Sequence, residues 1–294
     1  MVFNTNILAG SGGQAGDDAF SPVGCKTNNV SIFQTAATRS YIFANPSAGA
    51  GVSQSDSLKV TDSKKFTIVF WFHPTVTAPT GSASQGRHTY AWTIANGTDT
   101  NGEQIASPYT FIMRTGDNTG DGNVYLWSQS GTGITNNLSQ SNIWTVGEWN
   151  CYMISVDAST GKGTFFYNDD LKTSISRSVA FNFDNVRLAY IGAPTFVAGT
   201  HGTFIGAFAE YYYAPGQFVD FSIESNRRKF IDSEGKPVDL GADGSTPTGS
   251  SPLIYLSLRE GEGAEQFAVN RGTGIDFTVR GSVSVFPTTV SVSI

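Results

Sequence analysis

The feature that most constrains this chain is a succession of short extended runs whose residues alternate and whose ends carry turn residues. In "KKFTIVFWFHP", Phe66, Ile68, Phe70 and Phe72 fall on one face and Thr67, Val69, Trp71 and His73 on the other. This is the period of two that defines a strand. "EWNCYMISVD" repeats the pattern, with Asn150, Tyr152, Ile154 and Val156 sharing a face. Similar runs follow at short intervals, among them "VSIFQ", "SYIFA", "HTYAWTIAN", "YTFIMRT", "NVYLWSQ", "GTFFYN", "RLAYIGA", "PLIYLSL" and "IDFTVRG". Asn96-Gly97, Asp121-Gly122, Asp157 to Gly161 and Asp243-Gly244 mark turns between them. Only residues 216–230 have helical character, with Asp220 as the candidate N-cap. Many short strands and almost no helix predict an all-β chain. The expected fold is a jelly-roll sandwich of two antiparallel sheets with one short helix.

Composition narrows the class of partner. Aromatics make up 13% of the 294 residues and supply a large core, while charged residues make up only 14%, well below the usual quarter. Ser, Thr, Asn, Gln and Gly must therefore carry the surface. The net charge is −6 and no long basic run exists, which argues against a nucleic acid partner. The longest basic cluster, Arg227-Arg228-Lys229, reads as a helix C-terminus with Glu224 and Arg228 as an i,i+4 pair. Cys25 and Cys151 form neither a disulfide framework nor a metal set, and Cys151 reads as a small buried hydrophobe. No basic n-region followed by an apolar h-region is visible and no apolar run approaches 18 residues. Synthesis in a cytoplasm without membrane insertion is expected.

Along the chain, residues 1–27 read as an N-terminal arm, rich in Gly, Ser and Asn around an apolar plug of Val2, Phe3, Ile7 and Leu8. The plug is expected in assembly contacts, within a homo-oligomer or against another protein. Residues 28–265 read as the sandwich and 266–294 as a C-terminal β extension. The extension ends in "VSVFPTTVSVSI", whose alternation suits strand addition to a neighbouring sheet. In "TFIGAFAEYYYAPG" the expected strand covers 204–213, with Ile205, Ala207, Ala209, Tyr211 and Tyr213 on one side. Pro215 stops it, and the helical turn that follows is expected to cover the sheet edge.

Three segments together resemble the laminin-G-like, concanavalin A-like lectin/glucanase sandwich: "FTIVFWFHP", "EWNCYMISVDASTGKGTFFYNDD" and "IGAPTFVAGTHGTFIGAFAEYYYAPG". The resemblance spans roughly 30–215. The opening "FNTNILAGSGGQ" and the closing "FVDFSIESNRRKFIDSEGKPVDLGADGSTPTGSSPLIYL" are similar to those of tailed-bacteriophage proteins that carry this sandwich. That narrower resemblance implies a non-enzymatic structural or adhesive virion component, a head decoration or fibre or a tail appendage. It would be synthesised in the host bacterial cytoplasm and end on the virion surface, among other virion proteins. The alternative is a carbohydrate-binding module for host surface glycans, and a third reading is a glycoside hydrolase.

Chemistry in the sequence bears on these readings. The hydrolases of the family use a strand resembling Glu-x-Asp-x-x-Glu, and the nearest segment, "REGEGAEQ", holds Glu260, Glu262 and Glu265 without the Asp. "GDNTGDGN" offers Asp117, Asn118, Asp121 and Asn123 as a calcium loop. Asp117, Asp121 and Gly122 fit its first, fifth and sixth positions, but Thr119 and Ser128 do not fit the third and twelfth. A hairpin turn rich in Asx residues explains the same stretch. No cofactor is expected apart from that candidate calcium. His73, His88 and His201 are too far apart in sequence to suggest zinc, and no nucleophile elbow or phosphate loop exists. A sugar platform needs an aromatic beside amide groups. Trp127, Trp144, Tyr109 and Tyr90 are its aromatic candidates, each with a plain alternative as a core residue, and Asn136, Asn137 and Gln140 are the amides close by in sequence.

Overall fold

The structure is a computed structural model of the full chain. It describes residues 24–27, 41–44, 65–74, 89–95, 111–115, 124–130, 133–140, 147–157, 159–174, 188–191, 202–203, 206–280 and 283–286. The first strands are β1 (Gly24–Thr27), β2 (Tyr41–Ala44), β3 (Lys65–Pro74), β4 (Thr89–Ala95), β5 (Phe111–Thr115), β6 (Val124–Ser130) and β7 (Gly133–Gln140). Then come β8 (Asn150–Asp157), β9 (Lys162–Tyr167), β10 (Asp170–Ser174), β11 (Leu188–Ile191), β12 (Gly202–Thr203) and β13 (Gly206–Pro215). The helix α1 (Glu224–Arg227) precedes β14 (Ile254–Leu256), β15 (Thr278–Arg280) and β16 (Val283–Phe286).

The strands form a lectin-like β-sandwich, as the alternation predicts. One sheet runs β10-β9-β8-β3-β13-β1-β16, with β14 also on β13. A second runs β12-β4-β11-β2-β15, with β5 on β4, and β6 and β7 form a separate ribbon. The pairing is antiparallel except between β12 and β4. Gly24–Thr27, at the end of the segment read as an arm, is a strand between β13 and β16. The described part of 266–294 contributes β15 to one sheet and β16 to the other.

Both faces of β3, a central strand of the first sheet, are buried. Phe66, Ile68, Phe70 and Phe72 are fully buried on one face of β3, and Thr67, Val69 and Trp71 are buried on the other. The second set packs in a cluster with Cys151, Met153 and Phe166 from the sheet and with Val219, Phe221, Phe230, Ile231 and Leu240 from the coil after β13. That coil therefore lies on the sheet's face, not on its edge as the sequence suggests, and the edge of β13 is taken by β1 and β14. Two hydroxyls make this coverage possible. Val219 N–H donates to Thr67 Oγ1 (3.2 Å) and Ser155 Oγ (3.0 Å), and Thr67 Oγ1 donates to the Gln217 carbonyl (3.1 Å). A crossing coil would otherwise bury unpaired backbone groups, each a cost of about 1–3 kcal/mol.

The helix is shorter than 216–230. Its N-cap is Ile223 with no side-chain cap bond. Asp220 instead closes an Asx turn, accepting from Ser222 N–H at 3.0 Å. The basic cluster has a larger role than a helix end. Arg228 pairs with Glu224 at 3.0 Å as expected, but Arg227 and Arg228 also grip Asp169 at 2.6 and 2.7 Å. Arg227 lies 4.4 Å from the Phe166 ring centroid. Asp169 and Asn168 occupy the turn between β9 and β10, both with positive φ (65° and 49°), as a two-residue type I′ hairpin requires. Asn168 Oδ1 accepts from Cys151 N–H at 2.7 Å, fastening the turn to β8.

β13 departs most from its sequence pattern. Its register against β3 shifts between Ala209 and Tyr212. Ala207, Ala209, Tyr212 and Ala214 therefore share the cluster under the coil, whereas simple alternation groups Ala207 and Ala209 with Tyr211 and Tyr213. Tyr211 stacks on Phe70 at 5.5 Å on the opposite face. The irregularity centres on Glu210, whose φ of 45° is uncommon for a residue with a Cβ.

Candidate functional site

The β6–β7 ribbon holds Trp127 and the amide candidates Asn136, Asn137 and Gln140, while Tyr90 lies on β4, paired with Arg114 of β5. Its register pairs Tyr125 with Ser139 and Leu126 with Leu138, then shifts, and pairs Trp127 with Asn136 and Gln129 with Ile134. Asn137 is the additional residue at that shift. Trp127 and Asn137, ten positions apart in sequence, thus come to neighbouring positions of one ladder. Pairs along a ribbon alternate between its faces. Tyr125, Trp127 and Gln129 share one set with Ser139, Asn136 and Ile134, while Val124, Leu126 and Leu138 belong to the other. The first set holds both aromatics of the ribbon beside hydroxyl and amide groups, with Ile134 and no charge; the second mixes Val124, Leu126 and Leu138 with Gln140, Ser128, Thr135 and Ser130. Tyr125 was not among the sequence candidates. The signal for it is its position two residues before Trp127 on the same strand.

The remaining candidates fall elsewhere. Tyr109 and Trp144 lie outside the described residues, as do Asp117, Asn118, Asp121 and Asn123 of the calcium loop and Val2, Phe3, Ile7 and Leu8 of the arm. Among the described residues no group of three or more His, Cys, Asp or Glu could hold a metal ion. Among them, too, no helix is long and apolar enough to cross a membrane.

The carboxylates of "REGEGAEQ" have structural partners. Glu262 accepts from Arg271 Nη2 with both oxygens, at 2.6 and 2.7 Å, and from Arg259 N–H at 2.8 Å. Burial opposes ionisation, but the Arg259 N–H and the Arg271 guanidinium outweigh it and hold this carboxyl below its ordinary range. Glu260 and Glu265 are exposed around this turn.

A different carboxylate stands out, and the sequence reading passed it over. Glu210 is 2% exposed. Its Oε2 accepts from the Tyr255 hydroxyl (2.8 Å) and its Oε1 from the Ser257 hydroxyl (2.6 Å). Arg259 Nη2 donates to that same Tyr255 oxygen at 2.9 Å and pairs with Asp239 at 3.2 Å. Burial pushes the Glu210 carboxyl up to about 7, against the opposing pull of Ser257, Arg259 and Tyr255. The available signal was one acidic residue inside an otherwise uncharged aromatic strand.

No family model matches the chain, and no curated protein sequence matches it. Solved structures do resemble it. A candidate carbohydrate binding protein from Bacteroides ovatus superposes with a TM-score of 0.50 at 16% identity, over 93% of this chain and 62% of that one. The chain thus spans less than two thirds of that structure's length. A heptameric SAP-like pentraxin from Limulus polyphemus gives a TM-score of 0.48 at 10% identity, over 90% of this chain and 95% of that one. The CBM40 domain of Ruminococcus gnavus IT-sialidase, bound to α2,3-sialyllactose, gives 0.38 at 16% identity, over 62% and 85%. The Bacteroides ovatus likeness shows the sandwich fold.

Proposed function

We propose that this chain is a non-enzymatic glycan-recognition module whose sugar platform is the β6–β7 ribbon. The observation that carries this reading is the register that joins Tyr125 and Trp127 with Asn136, Ser139 and the extra residue Asn137. Sugar rings present C–H faces that stack on aromatics and hydroxyls that pair with amides, so an uncharged set of this kind suits a neutral oligosaccharide. The fold shared with a candidate carbohydrate binding protein from Bacteroides ovatus supports the same reading. The arginine partners of Glu262 support a bracing role for that residue, in line with a protein that binds sugars without cleaving them. A glycan array tests the proposal. Binding should persist in high salt and fall at least about tenfold in Trp127→Ala, an aromatic contact of about 1.4 kcal/mol. Binding that collapses with salt but survives the substitution, or cleavage of the bound glycan, would overturn it.

The bacteriophage resemblance of the opening and closing segments favours a second element of the reading: display of this module on a virion surface. Its partners there would be other virion proteins and further copies of itself. Deleting residues 2–20 should leave a soluble, folded sandwich that no longer enters particles. Normal occupancy of the truncated chain would refute the assembly role of the arm, and absence of the intact chain from purified particles would refute the location.

A further inference from the structure

We propose that Glu210 is a protonation-controlled latch between β13 and the chain that follows β14: protonated it holds residues 255–259 against the strand, and ionised it loosens them. The latch sits at a junction. Along one edge of β13, β1 pairs with Ala207 and Phe208, and β14 pairs with Tyr211, Tyr212 and Tyr213. Glu210 occupies the gap between these partners, in a left-handed conformation. Such backbone strain persists only where surrounding contacts impose it, and here both carboxyl oxygens are held by hydroxyls from the segment after β14.

Hydroxyl partners allow two protonation states. Ser257 Oγ donates to a carboxylate and, by rotating, accepts from a carboxylic acid. The Tyr255 oxygen already accepts from Arg259, so its own proton stays directed at Oε2. Among the described residues, the charged groups facing the site are Arg259 from the chain after β14 and Asp239 from the covering coil. The opposite stretch of β3, Val69 to Trp71, carries none, and on β1 Lys26 pairs with Ala207, three residues away. Arg259 is thus one hydroxyl removed from the carboxyl, and Asp239 offsets part of its charge. Ionisation leaves a buried negative charge with two neutral donors and no directly paired cation among these groups.

The folded carboxyl titrates near about 7 and an unfolded one near 4.5. Between these values the folded chain retains a proton that the unfolded chain has released. The stabilisation is therefore complete in acid, declines as pH rises through about 7, and stays lost above it.

Amide exchange of Ile254, Tyr255 and Leu256, corrected for intrinsic rate, tests the latch from about pH 5 to about pH 9. In the wild type, protection should fall about tenfold or more across that range. In Glu210→Gln the corrected protection should not change with pH. An equal fall in Glu210→Gln, or none in the wild type, overturns the proposal. Should Glu210→Gln fail to fold, Tyr255→Phe removes one donor to the carboxylate and should move the midpoint of the fall to higher pH. An unmoved midpoint overturns it equally.

Discussion

The eight-stranded sheet and the β6–β7 ribbon follow opposite rules. In the sheet, the two faces of β3 are both buried, and the hydroxyls of Thr67 on β3 and Ser155 on β8 bond the coil that crosses them. In the ribbon, the register gathers both aromatics, Tyr125 and Trp127, into one set of positions with Ser139, Asn136 and Gln129. A face covered by protein serves stability, and a set of positions with sugar-compatible chemistry is the proposed recognition surface. Substitutions should separate these properties.

The largest expected effect is in the sheet. Trp71→Ala, under the covering coil, should cost about 4 kcal/mol in chemical denaturation, with glycan affinity of the remaining folded fraction unchanged. A loss below about 1 kcal/mol would mean that the coil does not cover this face. Asp169→Asn tests the coil's attachment. It tolerates the left-handed turn but weakens the charged grip of Arg227 and Arg228, at an expected cost of about 2 kcal/mol. The ribbon should behave in reverse: Trp127→Ala lowers glycan affinity about tenfold and leaves the denaturation midpoint in place. Smallest of all, Glu224→Ala removes an exposed i,i+4 pair and should cost at most about 0.5 kcal/mol, with added salt erasing even that difference.

How much of this was legible in sequence follows from which physical signals have a period. β3 and β8 alternate without interruption, so their pairing faces could be read directly. β13 could not be read past Glu210, because one extra residue moves every later side chain to the other face. The covering coil was legible only as a helix-like stretch. Val219, Phe221, Phe230, Ile231 and Leu240 have no common period, and what unites them is the sheet face beneath. Gly244 illustrates the same limit. Asp243-Gly244 reads as a turn, but a Cβ there would meet the Tyr255 ring at 2.9 Å, a contact set by tertiary packing alone. In the ribbon, Trp127 and Asn137 were each visible as suitable chemistry. Their adjacency depends on a register shift that no local propensity encodes.

Resonance mapping tests the separation of recognition from stability most directly. The neutral oligosaccharide that binds best on the array is titrated into the labelled protein, and backbone amide shifts are followed. The largest changes should fall at Tyr125, Trp127, Asn136 and Asn137, with β3, β8 and β13 unmoved. Changes centred on the eight-stranded sheet or its covering coil, with the ribbon silent, would contradict the account.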